Sequence, residues 1–325
     1  MSSALLRVSE LEVGVERRRG AHTIIRGVSF DVAPGEAVGV VGETGSGKTL
    51  SMLAVMGLLP PMVRRTGGEI MFDGRDLTRL GGRDLRRLRG RELAMVYQDP
   101  ATSLNPLMTV GAQIAEGLHA HGVARPDAQR RVRDALAQVG IPDPERTSRA
   151  YPHQFSGGMR QRAMIATALV LSPKLLIADE PTTALDVTIQ QQILALVRRL
   201  QDETGMAIVW ITHDLGVVAR LVDRVVVMYA GHVVEHAPTR ALFRRPEHPY
   251  TAGLLASLPD PTNVTRPPLA QIPGAPPDPA RVPSGCPFRD RCPQAIDRCA
   301  EERPPLTSRG NGGAAACWVP PEEWR

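Results

Sequence analysis

The sequence predicts an α/β fold with a largely parallel central sheet, into which a helical subdomain is inserted. Three observations predict it. A short apolar run, Ala37–Val41, leads directly into a glycine-rich loop and then a helix starting at Lys48. Two more apolar runs, Leu175–Ala178 and Ile208–Ile211, read as buried strands. Between them Ile189, Ile193, Leu196, Val197 and Leu200 recur at helical spacing. From about Leu104 to Val170 the helical pattern dominates, as in Val132, Leu136 and Val139.

The elements follow in order. Residues 5–35 alternate apolar and polar positions (Leu11, Val13, Val15, then Ile24, Val28, Phe30, Val32), which predicts antiparallel strands ending at the Pro34–Gly35 turn. The helix from Lys48 is expected to reach about Leu58, and Glu69–Phe72 to be a strand turning at Asp73–Gly74. Val225–Met228 and His232–Glu235 read as a hairpin around Ala230–Gly231. After Leu258 the composition changes: nine prolines fall between Pro259 and Pro283 and predict an extended arm, which the cysteine-containing tail follows. The expected boundaries are one domain over 1–258, with its helical subdomain at about 104–170, and an extension over 259–325.

Bulk properties narrow the class. Hydrophobic residues are 42% and charged residues 22%, as in an ordinary globular protein, and the net charge of +5 is a modestly basic surface. No basic-aromatic surface for nucleic acid is visible. No window approaches the ~18 to 20 consecutive apolar residues of a membrane span, and Met1-Ser2-Ser3 lacks the basic flank and apolar core of a secretory signal. The chain is therefore expected on the cytoplasmic side, reaching a membrane only by docking onto other subunits. Nearly all basic residues are arginine; Lys48 and Lys174 are the lysines.

Lys48 closes a loop with a specific chemistry. Gly42, Glu43, Thr44, Gly45, Ser46, Gly47, Lys48 and Thr49 match the phosphate-binding loop pattern in full, between a strand and a helix. Glycines let backbone N–H groups surround phosphates, and the helix N-terminus adds positive potential. Lys48 then contacts the β- and γ-phosphates of ATP and the Thr49 hydroxyl ligates Mg²⁺. The apolar strand 175–178 ends in Asp179 and Glu180. Asp179 can hold Mg²⁺ through water, and Glu180 can polarise an attacking water as general base. Without the loop, the same pair is two solvated acids at a strand end.

Phe155-Ser156-Gly157-Gly158-Met159-Arg160-Gln161 places a hydroxyl and two glycines at a helix start. On its own this is a capped helix. Just ahead of the acidic strand, it resembles the signature motif of ABC ATPases, and the resemblance extends across nearly the whole chain. Gln98, within Val96-Tyr97-Gln98-Asp99-Pro100, resembles the Q-loop glutamine that also approaches Mg²⁺. Ala184-Leu185-Asp186 resembles the D-loop, and His213 resembles the switch histidine. The family implies that two nucleotide-binding domains pair head to tail around two ATP molecules. Ser156 and Gly158 then serve the partner's ATP, Asp186 is carried over as an ATP-binding residue, and His213 contacts the γ-phosphate. Gln98 and the segment through Asn105–Pro106 carry the movement to transmembrane subunits. The signature departs from the commonest form at Phe155 and Met159, and no aromatic residue before Phe30 is present to stack on adenine, which leaves that contact to a residue such as His22 or to none.

The tail resembles one branch of the family. His248-Pro249-Tyr250-Thr251-Ala252-Gly253-Leu254-Leu255, Ile272-Pro273-Gly274 and the Cys286–Cys292 segment resemble the C-terminal region of oligopeptide and dipeptide importer ATPases, as does Ser103-Leu104-Asn105-Pro106 after Gln98. The branch implies two permease subunits, an extracytoplasmic peptide-binding protein acting indirectly, and a second ATPase subunit, more usually a heterodimer partner than a second copy. It also handles nickel, glutathione and some sugars. A non-transport ABC ATPase is the rival class, but its usual coiled-coil insertions or paired domains are absent from the sequence.

Cys286, Cys292, Cys299 and Cys317 are the four cysteines, spaced C-x5-C-x6-C-x17-C. Four thiolates suit zinc or a [4Fe–4S] cluster. Zinc sites usually include a tight pair of ligands, which is missing, so the spacing favours the cluster, as does the resemblance; four small buried thiols are the plain alternative.

Overall fold

The computed structural model describes residues 4–17, 20–183, 185–258, 271–310 and 312–324. In chain order the strands are β1 (Leu6–Arg17), β2 (Gly20–Val32), β3 (Ala37–Val41), β4 (Val63–Phe72), β5 (Arg75–Asp76), β6 (Leu93–Val96), β7 (Leu175–Asp179), β8 (Ala207–Thr212), β9 (Arg224–Tyr229), β10 (His232–Pro238), β11 (Thr307–Ser308) and β12 (Ala314–Ala315). The helices are α1 (Lys48–Met56), α2 (Gly82–Leu88), α3 (Pro100–Ser103), α4 (Val110–Ala120), α5 (Arg125–Gln138), α6 (Pro144–Thr147), α7 (Gly157–Leu169), α8 (Val187–Thr204), α9 (Leu215–Leu221), α10 (Thr239–Arg244), α11 (Pro249–Ala256) and α12 (Arg298–Glu301). They divide into two compact units. One comprises residues 1–32, 37–78 and 211–325, the other 33–36 and 79–210.

The first unit holds an antiparallel sheet in the order β2-β1-β4-β5. Leu11, Val13, Val28, Phe30 and Val32 of the predicted alternation are buried on it, with Leu6 and Val8, but Val15 and Ile24 are only half-buried and Ile25 is buried instead, the register shifting between Val13 and Gly14. β4 begins six residues earlier than Glu69, pairing from Val63 opposite Val15. Arg64-Arg65-Thr66-Gly67-Gly68 carries no alternation because the pairing is broken by a bulge near Ser9–Glu12. There Glu10 and Gly68 both take positive φ (47° and 79°), and a Cβ on Gly68 would stand 2.3 Å from the Glu10 carbonyl oxygen.

In the same unit β3 lies parallel to β9, and β9 forms the expected hairpin with β10. Ala230 and Gly231 make its two-residue turn, both at positive φ (47° and 82°), the conformation that matches strand twist. β10 continues to β12 and β11, so two short strands of the cysteine tail extend this sheet. Helix α1 follows β3 and ends at Gly57, whose φ of 62° lets the last carbonyls be capped.

The second unit has parallel strands β6 and β7, with β8 returning after α8. The predicted helical stretch is α4 to α7 with turns between them, and Val132, Leu136 and Val139 lie in its interior. Among the described residues, 271–288 carries no helix or strand, as the prolines require. Residues 259–270 of the arm lie outside the described residues. Among the described residues, no helix is long and apolar enough to cross a membrane.

Candidate nucleotide site and cysteine module

The phosphate loop leaves β3 buried and enters α1 through residues few side chains tolerate. Gly42, Gly45 and Gly47 have φ of 149°, 84° and 103°. A Cβ on Gly42 would approach the Met228 carbonyl oxygen to 2.2 Å and one on Gly47 would meet Ile25 at 2.3 Å, whereas Gly45 faces open space. The loop is thus pressed against the sheet at two points and open at the third. Lys48 is buried, and its Nζ donates to the carbonyl oxygens of Gly42 (2.7 Å) and Glu43 (3.1 Å). Ser46 is buried with its Oγ unpartnered, and Thr44 and Thr49 are exposed at the loop and the helix start. An orphaned hydroxyl, a cationic amine and a helix N-terminus around open space fit a polyphosphate.

Glu43 is the most constrained loop residue. Its backbone N–H donates to the Tyr250 hydroxyl at 2.8 Å. Its carboxylate accepts two bonds from the Arg291 guanidinium, at 2.6 and 2.9 Å. That bond to Glu43 is the main cause raising Arg291 above the ordinary arginine value. Neither Arg291 nor Tyr250 was legible as a site residue. They lie 248 and 207 positions from Glu43, and no periodicity or spacing signals such a contact.

In the second unit, β7 delivers Asp179 buried and Glu180 half-exposed. Glu180 has φ of 44°, a conformation that costs a non-glycine residue energy and that concentrates at functional sites. Its carboxylate accepts from Gln98 Nε2 at 3.2 Å and from the Thr183 hydroxyl at 3.0 Å. The Q-loop glutamine and the acid are therefore brought together. Ser156 caps α7, its hydroxyl accepting from Met159 N at 3.3 Å. A Cβ on Gly158 would stand 2.9 Å from Ile189, so this glycine also permits the approach of α7 to α8. Asp186 caps α8 through Ile189 N at 2.9 Å, while Ala184 lies outside the described residues. His213 follows β8 in the first unit and is exposed. His22 lies on β2 opposite Val15.

The four cysteines form no disulfide. Local turns bring two of them together: Cys286 N donates to the Cys299 carbonyl at 2.8 Å, and a Cβ on Gly285 (φ 68°) would stand 2.3 Å from that oxygen, so glycine permits the approach. Burial pushes the Cys286 thiol up to about 11 and Cys292 up to about 12, and raises Cys317 as well. The neighbouring cysteines raise these thiols further. Among the described residues, no three His, Cys, Asp or Glu side chains are arranged to hold a metal ion. The expectation of an iron–sulfur or zinc site thus finds no support in how these side chains are arranged.

Residues 25–183 match the ABC transporter family and residues 234–299 match the family described as oligopeptide/dipeptide transporter, C-terminal region. The chain is 50% identical over 97% of its length, and 94% of the relative's, to a probable peptide ABC transporter ATP-binding protein of Sinorhizobium fredii. It is 47% identical to the dipeptide transport ATP-binding protein DppD of Escherichia coli, over 98% of this chain and 97% of that one. Its fold resembles a dimeric, post-hydrolysis ATP-binding cassette bound to ADP and Pi, with a TM-score of 0.65 and 25% identity over 72% of this chain and 99% of the other. A phosphate loop, an acidic strand and a capped signature helix on this fold, with near full-length identity to such proteins, make the chain a member of the ABC transporter ATP-binding proteins of the oligopeptide/dipeptide branch.

Proposed function

We propose that this chain hydrolyses ATP to energise uptake of di- or oligopeptides by an ABC importer. The observation that carries the reading is identity of 46–50% across nearly the full length to peptide and dipeptide transport ATP-binding proteins. The roles follow from this reading. Lys48 and the loop amides bind the phosphates of ATP. Thr49, Gln98 and Asp179 are the residues that would hold Mg²⁺, which would neutralise charge on the β- and γ-phosphates. Glu180, oriented by Gln98 and Thr183, takes the proton of the attacking water. His213 steadies the γ-phosphate. Ser156, Gly158 and Asp186 complete the nucleotide site of a paired subunit.

The partners are a second ATPase subunit, a related chain in preference to a second copy, and two permeases, onto which the chain docks peripherally at the cytoplasmic face of the membrane. Residues 1–258 are the nucleotide-binding domain and 259–325 the branch-specific extension. Its four thiols suit a structural [4Fe–4S] cluster over zinc. The C-x5-C-x6-C-x17-C spacing, which lacks a tight pair, supports the cluster, whose ligands come from separate corners. The test is uptake of a labelled peptide by cells lacking the chain. Wild type should restore it and Glu180→Gln should not; restored uptake of a different solute alone would refute the peptide reading.

A further inference from the structure

A carboxylate at the second position of a phosphate loop calls for explanation. An uncompensated charge beside the triphosphate repels it, and the repulsion is strong where water is partly excluded. Glu43 is not uncompensated. Arg291, which lies between Cys286 and Cys292, grips it with both guanidinium nitrogens. Arg291 is itself almost fully buried, with its Nε donating to the Pro273 carbonyl at 2.8 Å and its Nη1 3.3 Å from the Tyr229 hydroxyl. Its guanidinium carbon stands 5.8 Å from the Tyr229 ring centroid and 5.9 Å from that of Phe288. Tyr229, Tyr250 and Phe288 pack on one another at 4.6 to 5.3 Å between centroids.

Stability alone does not account for this arrangement. A buried ion pair is weak evidence for stability, since apolar residues of similar volume often do as well. Its fork geometry does fix one carboxylate in one place. Here the carboxylate belongs to the loop that holds phosphate, and the fork is supplied by the cysteine module.

We propose that Arg291 is a positioning residue for ATP binding: it neutralises and fixes Glu43, so that the cysteine module sets the charge and shape of the phosphate loop. The proposal rests on the reading of this loop as an ATP site. Tyr250 holds the amide of the same residue, so Glu43 is pinned through both its backbone and its side chain.

The experiment measures the Kd of a fluorescent ATP analogue with Mg²⁺, the KM and kcat of hydrolysis, and the melting temperature. It uses the full chain carrying Arg291→Ala, Arg291→Lys, Lys48→Ala or Arg291→Ala with Glu43→Gln. Arg291→Ala is expected to raise Kd and KM about tenfold with kcat changed much less, because the bare carboxylate opposes the incoming phosphates. Adding Glu43→Gln should recover most of that loss by removing the charge. A Kd within twofold of wild type while the melting temperature falls would overturn the proposal, as would a defect that Glu43→Gln fails to relieve. If Arg291→Ala does not fold, Arg291→Lys decides: it keeps the charge but loses the fork, and an unchanged Kd overturns the proposal. Lys48→Ala separates the two readings. If it leaves nucleotide binding intact, the ATP-site reading itself fails; if it abolishes binding, a null result at Arg291 counts against this proposal alone.

Discussion

At the scale of single residues, Glu180 joins chemistry to backbone strain. Its positive φ aims a carboxylate that Gln98 and Thr183 hold in place. Glu180→Gln keeps the shape and loses the proposed base. Steady-state hydrolysis should fall about 10²- to 10³-fold with the Kd for ATP nearly unchanged. Lys48→Ala should instead weaken ATP binding at least about tenfold, since it removes a charge-assisted contact. Glu235 gives a prediction about pH. It is buried and accepts from the amides of Glu247 and His248 at 2.8 and 3.0 Å, where α11 begins and Tyr250 is delivered. Burial raises its carboxyl from 4.5 to about 7. The unfolded chain therefore ionises this group from about 4.5 and the folded chain only near 7, so the group costs stability as pH rises through that window. Glu235→Gln should gain stability relative to wild type from pH 4.5 to 7, on the order of 3 kcal/mol, readable from paired denaturant titrations. Burial lowers His248 from 6.5 to about 3, which acts oppositely: its contribution is lost as pH falls below 6.5.

At the scale of elements, legibility followed locality. The loop, the acidic strand, the signature cap and the Ala230–Gly231 hairpin are written in contiguous residues, and the structure forms each of them where the pattern stands. β4 was only half legible because its first residues pair through a bulge that erases alternation. The short β11 and β12 have no pattern of their own and exist because β10 offers an edge to pair with. The Arg291–Glu43 contact was illegible for the same reason: its two ends share no local signal. The cysteine module inherits a prediction from that contact. Cys292 directly follows Arg291, so Cys292→Ser should loosen the grip on Glu43 and raise the Kd for ATP in the same direction as Arg291→Ala. An unchanged Kd alongside a lost module would show that the loop holds itself.

At the scale of the whole molecule, the chain carries both a phosphate loop and a signature helix cap, and the family joins them between subunits rather than within one. The purified chain alone should therefore hydrolyse ATP weakly, with specific activity that rises with concentration or on adding the partner ATPase. Activity that is high and constant from dilute to concentrated protein would contradict shared sites. Anaerobic purification should give a brown protein with about four irons per chain. One zinc per chain would replace the cluster, and no metal would leave four unligated thiols. The central claim is that ATP cleavage here serves peptide uptake. Its most direct test is ATP hydrolysis by the assembled transporter in lipid vesicles, with and without a peptide-loaded binding protein, for wild type and Glu180→Gln. Hydrolysis should rise when peptide-loaded binding protein is present and disappear in the variant. Hydrolysis indifferent to peptide, or persisting in Glu180→Gln, would contradict it.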